Sequence, residues 1–306
     1  MIRSPRRSRP GPLPPTTAPE RPPDAAARRE RREQAHRRVI RQRRLVALGV
    51  LALIICAITF LVTQGGSKSE LQQAVAKVKA KPKPPPELPR GGRTLFPRNR
   101  VVAFYGAPQS VELGALGIGT PDQAGKKLLA QMRAYRRGGR HLLPAMELIA
   151  VVASRFPEPD NSYSYRQSHR TVKNFLAAAR KIKALLVLDI QPGHADFMTL
   201  TKRFGRFLRE PDVALALDPE WQTPGAVPGT VIGSTDAATV NRVSRYLQRV
   251  VEKYRLPDKM LLVHQFTDSM IRNKQQLKPL HGVPLVLNVD GFGGQEVKIA
   301  KYHDFT

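Results

Sequence analysis

Val213-Ala-Leu-Ala-Leu-Asp218-Pro219-Glu220-Trp221 is an apolar run that ends in two carboxylates and an indole. Five apolar residues without polar alternation read as a strand buried on both faces, as in a parallel sheet. Three other stretches repeat the pattern: Ala184-Leu-Leu-Val-Leu-Asp189-Ile-Gln191, Met260-Leu-Leu-Val-His264-Gln265 and Val283-Pro-Leu-Val-Leu-Asn288-Val-Asp290. Each closes on a carboxylate, an imidazole or an amide. Polar groups gathered at several strand ends point to a site as well as to a fold.

Outward from this core, strand and helix signals alternate. Strands are expected at 101–105, 143–153, 185–190, 213–218, 261–266 and 285–289. Helices are expected at 121–137, 169–183, 196–209 and 236–255. The first helix carries Thr120 as N-cap, Pro121 at its first position and Gly138 just past its end. Such alternation argues for an α/β fold with a parallel sheet. The expected architecture is a TIM-type (β/α) barrel, whose site lies at the carboxyl ends of its strands. After Asp290-Gly-Phe-Gly-Gly294 only twelve residues remain, too few for two further strand–helix units, so the barrel is expected to be C-terminally incomplete.

The N-terminal third reads differently. Net charge is +27, and residues 1–44 hold 14 Lys/Arg against 4 Asp/Glu. That segment is rich in Pro, Arg and Ala and too poor in large apolar residues to fold, so it is expected to be a disordered basic tail. No aromatics interleave with its arginines, which speaks against nucleic-acid binding. Residues 45–63 form an uncharged apolar run close to the ~20 residues that cross a bilayer. Arg37, Arg38, Arg41, Arg43 and Arg44 crowd its N-terminal side, which places the tail in the cytoplasm and the rest outside. A cleaved signal peptide is the runner-up and leaves the domain outside as well. The expected layout is a cytoplasmic tail at 1–44, a single membrane helix at 45–63, a juxtamembrane segment and Pro-rich linker at 64–97, and an extracytoplasmic domain at 98–306. Cys56 is the one cysteine and lies inside the apolar run, so no disulfide forms within a chain. The oligomeric state is not legible.

Asp218 and Glu220 are two residues apart, and an extended backbone would point both to one face. Pro219 favours that backbone at Asp218. Two adjacent carboxylates resist ionising together, so one holds its proton longer, as acid/base hydrolysis of a glycoside needs. Asp189/Gln191 and Asn288/Asp290 repeat the spacing at other strand ends. His264 can hydrogen-bond a carboxylate or a sugar hydroxyl. Glu147 lies inside an apolar run, where a buried charge must be paired or functional. Tyr105, Tyr163, Tyr165 and Trp221 offer faces for sugar rings or for ordinary packing. A metal cage of Asp189, Asp218, His264 and Asp290 is the chemical rival. No His-x-His, His-x-x-x-His or H-E-x-x-H spacing supports it, so no metal and no cofactor are expected. Gly114-Ala-Leu-Gly-Ile-Gly119 lacks a following Gly-Lys-Ser/Thr and reads as a loop.

With these strand ends, residues 98 to about 294 resemble bacterial membrane-anchored (β/α)8-barrel proteins with glycosidase-like strand ends. The Asp218-Pro219-Glu220 motif is similar to the Asp-x-Glu of chitinase-type glycosidases and barrel-fold lysozymes, without the further aspartates that precede it in chitinases. The resemblance implies Glu220 as general acid, with Asp218 or Asp189 as its partner carboxylate. Tyr105, Glu147, Gln191, Trp221, His264, Asn288 and Asp290 would contact substrate. The function it implies is hydrolysis of cell-envelope polysaccharide. The alternative is a non-catalytic barrel that binds a cell-wall polymer or a protein, to which the basic balance is suited.

Overall fold

The apolar runs do become strands. A computed structural model describes residues 84–108, 110–290 and 294–305. Its main strands are β1 (Asn99–Gly106), β2 (His141–Ala153), β3 (Leu185–Ile190), β4 (Val213–Leu217), β5 (Leu261–Gln265) and β6 (Leu285–Val289). They pair in parallel, in chain order. Every residue of β3, β4 and β5 is buried, while β6 is half-buried throughout. A short strand, Ser164–Arg166, adds antiparallel to the end of β2.

The helices are α1 (Pro121–Gln131), α2 (His169–Lys181), α3 (Phe197–Arg203), α4 (Ala237–Tyr254) and α5 (Gln295–Phe305). At the starts of α1 to α4, side chains satisfy free backbone N–H groups. Thr120 and Gln123 form a reciprocal capping box on α1, and Asp196 and Asp236 cap α3 and α4. One core joins helices to sheet: Leu128, Phe175, Phe197, Val240 and Leu247 against Val102, Leu148, Leu186, Leu215 and Val263. Alternate strand residues turn the other way. Leu143, Ala145, Leu185, Val187, Ala214, Ala216 and Leu262 form a second cluster with Leu88 and Leu95. The segment before β1, which reads as linker in the sequence, therefore packs against the concave side of the sheet.

The expected TIM-type barrel is corrected by this topology. The sheet is a curled half-barrel of six parallel strands in a mixed α/β fold. A closed barrel must hydrogen-bond its last strand to its first. Here β1 pairs in parallel only with β2, and β6 pairs only with β5, so the ladder ends at both edges among the described residues. No α-helix links β5 to β6. Two 3-10 turns and the strand Ile271–Arg272 take its place, and that strand pairs with Thr235–Asp236 ahead of α4. No helix among the described residues is long and apolar enough to cross a membrane. The expected span at 45–63, with the tail before it, lies outside the described residues.

Beneath the β4 end of the sheet lies a buried cation. Lys259 is 2 % exposed, and its Nζ donates to the carbonyls of Glu210 (3.0 Å) and Val213 (2.5 Å). Burial lowers its pKa to about 7 from the usual 10.5. The unfolded chain then binds more protons than the folded one between those values. Stability from this group rises with pH through that window and is lost as pH falls toward 7. Denaturant unfolding between pH 7 and pH 10 is expected to show a rise of at most ~1.4 kcal/mol per pH unit. Lys259→Met should flatten it. Equal slopes in the two proteins would show that the ammonium is not displaced on folding.

Candidate functional site

The inner face of the sheet changes character along the strands. Toward their amino ends it is apolar, and toward their carboxyl ends the same alternation presents polar groups. Thus Leu185, Val187, Asp189 and Gln191 share one face by the two-residue period. Register sets Tyr105 beside Glu147, Ile149 beside Asp189, and His264 beside Asn288. The result is a cavity of about 820 Å³ on the concave side, lined at this end by Tyr105, Glu147, Gln191, Asp218, Glu220, Trp221, His264, Asn288 and Asp290. Of the residues singled out from the sequence as catalytic or substrate-binding, Asp189 alone lies beneath the lining, fully buried.

His264 is the hub. Its Nδ1 lies 2.5 Å from Asp290 Oδ2, and its Nε2 lies 3.0 Å from Glu147 Oε1 and 3.9 Å from Asp189 Oδ1. Asn288 Nδ2 donates to the other Asp290 oxygen at 2.6 Å. A second network starts at Gln191, whose Oε1 accepts from the Ala153 N–H. Its Nε2 donates to Tyr105 Oη (3.0 Å) and to Asp218 Oδ2 (3.5 Å). Tyr105 Oη in turn donates to Asp189 Oδ2 at 3.4 Å. Two buried oxygens, Asp189 Oδ1 and Asp218 Oδ1, accept no hydrogen bond from the described residues.

Electrostatics follow from this crowding of carboxylates. Burial, then the charge of Asp218, pushes the Asp189 carboxyl well above the usual range. Asp218 is pushed up to about 7 by burial, with Glu220 and Asp290 adding to the rise and His264 opposing it. Burial and the charge of Asp290 also raise Glu220. For His264 burial disfavours the cation, but Asp218 and the bonds to Asp290 and Glu147 outweigh it and raise the imidazole. Burial, and then Asp189 and Asp218, hold Tyr105 as the neutral phenol. No Lys or Arg forms an ion pair with any of these carboxylates among the described residues.

The Asp218/Glu220 spacing works by a different geometry from the extended one. Pro219–Trp221 is a 3-10 turn, which leaves Asp218 buried at 5 % exposure and brings Glu220, half-buried, to the cavity. Gly233 supports the turn by donating its N–H to Glu220 O, and a Cβ there would lie 2.5 Å from the Pro219 and Gln222 carbonyl oxygens. Tyr163 lies against His194 at 4.3 Å between ring centres, and Tyr165 packs against the cluster of Ala107, Ile149 and Val152; neither lines the cavity.

Sequence reasoning passed over Glu112 and Leu113 and read Gly114 only as the start of a loop; all three border the cavity after β1. Gly114 gave the signal. Its φ is +117°, and a Cβ would meet Tyr105 O at 2.4 Å, so the loop can approach β1 only at a glycine. Phe266, just past β5, lines the mouth as well. Glu147, Asp189 and His264 also place one ligand atom each within 4.8 Å of one another, a grouping that could hold a cation. Set beside known proteins, the chain matches no family model, no curated protein and no solved structure.

Proposed function

We propose that this chain is a membrane-tethered, extracytoplasmic glycoside hydrolase that cuts cell-envelope polysaccharide by carboxylate acid/base catalysis. One observation carries the reading. Asp218 and Glu220 open onto a cavity of about 820 Å³ at the strand ends, and neither forms an ion pair with a Lys or Arg among the described residues. Glu220 is reachable from the cavity and has a raised affinity for its proton. It is suited to protonate the glycosidic oxygen as the bond breaks. Asp218, deeper in the same cavity, faces the positive charge that develops on the sugar ring. Trp221 and Tyr105 supply aromatic faces for the rings on either side. The tether rests on the arginine asymmetry around 45–63.

A second reading has its own observation. A cavity of about 560 Å³ at the amino ends of β1 and β2 is lined by Arg90, Arg98, Arg133, Arg136 and Arg140. None of these arginines forms an ion pair with a carboxylate among the described residues. Such a surface suits a non-catalytic domain that holds an anionic wall polymer. The two readings separate when the full chain is incubated with purified cell wall and a panel of glycans. Hydrolysis releases soluble fragments with new reducing ends. Retention on the wall with no fragments from any substrate supports the second reading.

A further inference from the structure

Three atoms able to ligate a metal converge at the base of the cavity. Asp290 Oδ2 lies 2.5 Å from Nδ1 of His264, which favours a proton on that nitrogen. On the other side of the ring, Nε2 faces Glu147 Oε1 at 3.0 Å and Asp189 Oδ1 at 3.9 Å. Glu147 is 4 % exposed, His264 5 % and Asp189 0 %. Carboxylates buried together need a proton or a metal ion between them. A second proton on His264 would satisfy Glu147 and leave Asp189 Oδ1 without a hydrogen-bond partner among the described residues. A divalent cation satisfies all three.

We propose that Glu147, Asp189 and His264 form a divalent-metal site, with Asp290 as the carboxylate that orients the imidazole. The ligand atoms lie within 4.8 Å of one another. Coordination at about 2.0–2.2 Å needs only an inward shift on the order of 1 Å. One nitrogen and two oxygen donors suit Zn²⁺ or Mn²⁺ better than Mg²⁺ or Ca²⁺, because imidazole is a poor ligand for the hard cations. A carboxylate on the far nitrogen of a ligating histidine fixes its tautomer and raises its basicity. Ligand spacing is silent in the sequence because the ligands come from β2, β3 and β5 and the orienting carboxylate follows β6. The site goes beyond the hydrolase reading, since Asp218 and Glu220 stay outside the ligand set.

The test is calorimetric titration of the full chain, free of any histidine tag and first treated with chelator, with Zn²⁺ and then Mn²⁺. One ion per chain is expected. Asp189→Asn should abolish that binding. Asp290→Asn, at a half-exposed orienting position, should keep the ligands and weaken affinity by about 10–100-fold. Should Asp189→Asn fail to fold, the wild-type chain still decides. Zn²⁺ at 100 times its dissociation constant should raise the folded-to-unfolded ratio by about 100-fold, seen as a higher Tm, and Asp290→Asn should need more metal for the same shift. Absence of stoichiometric binding by either ion overturns the site, as does binding unchanged in both variants. Because the readouts are heat and unfolding, they hold whether or not the chain cuts glycan.

Discussion

Glu220→Gln is expected to slow glycan hydrolysis by about 10²–10⁴-fold while leaving the fold and glycan binding intact. The amide keeps the shape of the side chain and removes the proton that the leaving oxygen must receive. Glu220 is the accessible member of the Asp218/Glu220 pair, since it sits on the 3-10 turn while Asp218 is buried at its base. It holds no ion pair among the described residues, so the substitution removes no structural partner. The loss should fall on kcat. Trp221→Ala, at the neighbouring position of the same turn, should instead raise KM through lost ring contacts, with kcat less affected. Reducing-end assays at several substrate concentrations separate the two. Equal kcat in wild type and Glu220→Gln would place the acid elsewhere.

His264→Gln carries the largest expected loss of stability. The imidazole is flanked by Glu147, Asp290 and Asp189, and both Glu147 and Asp189 are buried. Without metal, the raised affinity of His264 for its second proton makes it the cation among these buried carboxylates in the described residues, and removing it leaves their charge uncompensated, at a cost of about 3–5 kcal/mol. A typical domain has only about 5–15 kcal/mol in total. Adding Glu147→Gln should recover part of the loss, with a coupling of roughly 0.5–3 kcal/mol between the two positions. Urea unfolding of the two single variants and the double variant, with chelator present, measures this. A cost below ~1 kcal/mol for His264→Gln, set against that range, would mean that the carboxylates do not depend on the imidazole.

Much of the scaffold was legible because buried parallel strands announce themselves. The runs at 185–190, 213–217, 261–265 and 285–289 lack polar alternation, and caps such as Thr120 and Asp236 mark helix starts. The polar ends were legible for the same reason. A two-residue period forces Asp189 and Gln191, or Asn288 and Asp290, onto the concave face once the strand is set. What the sequence hid was non-local. Closure of a sheet depends on whether its first and last strands meet, and nothing in β1 or β6 encodes that locally. The packing of Leu88 and Leu95 under the sheet was masked by the prolines around them, which read as spacer. The turn at Pro219–Trp221 was hidden because Pro219 favours an extended residue before it but does not prevent a tight turn after it. The meeting of Glu147 with His264 joins residues 117 positions apart, beyond any motif.

Cleavage of a glycosidic bond by the carboxylates at the strand ends leaves an isotopic trace. The full chain is incubated with purified envelope polysaccharide in ¹⁸O-water, and the released fragments are weighed by mass spectrometry. Hydrolysis at the sugar carbon places one ¹⁸O at each new reducing end. The expected result is singly labelled fragments from the wild-type chain and a strongly reduced yield from Glu220→Gln. Polysaccharide that binds the chain yet yields no labelled fragment, with or without added Zn²⁺ or Mn²⁺, would contradict the claim.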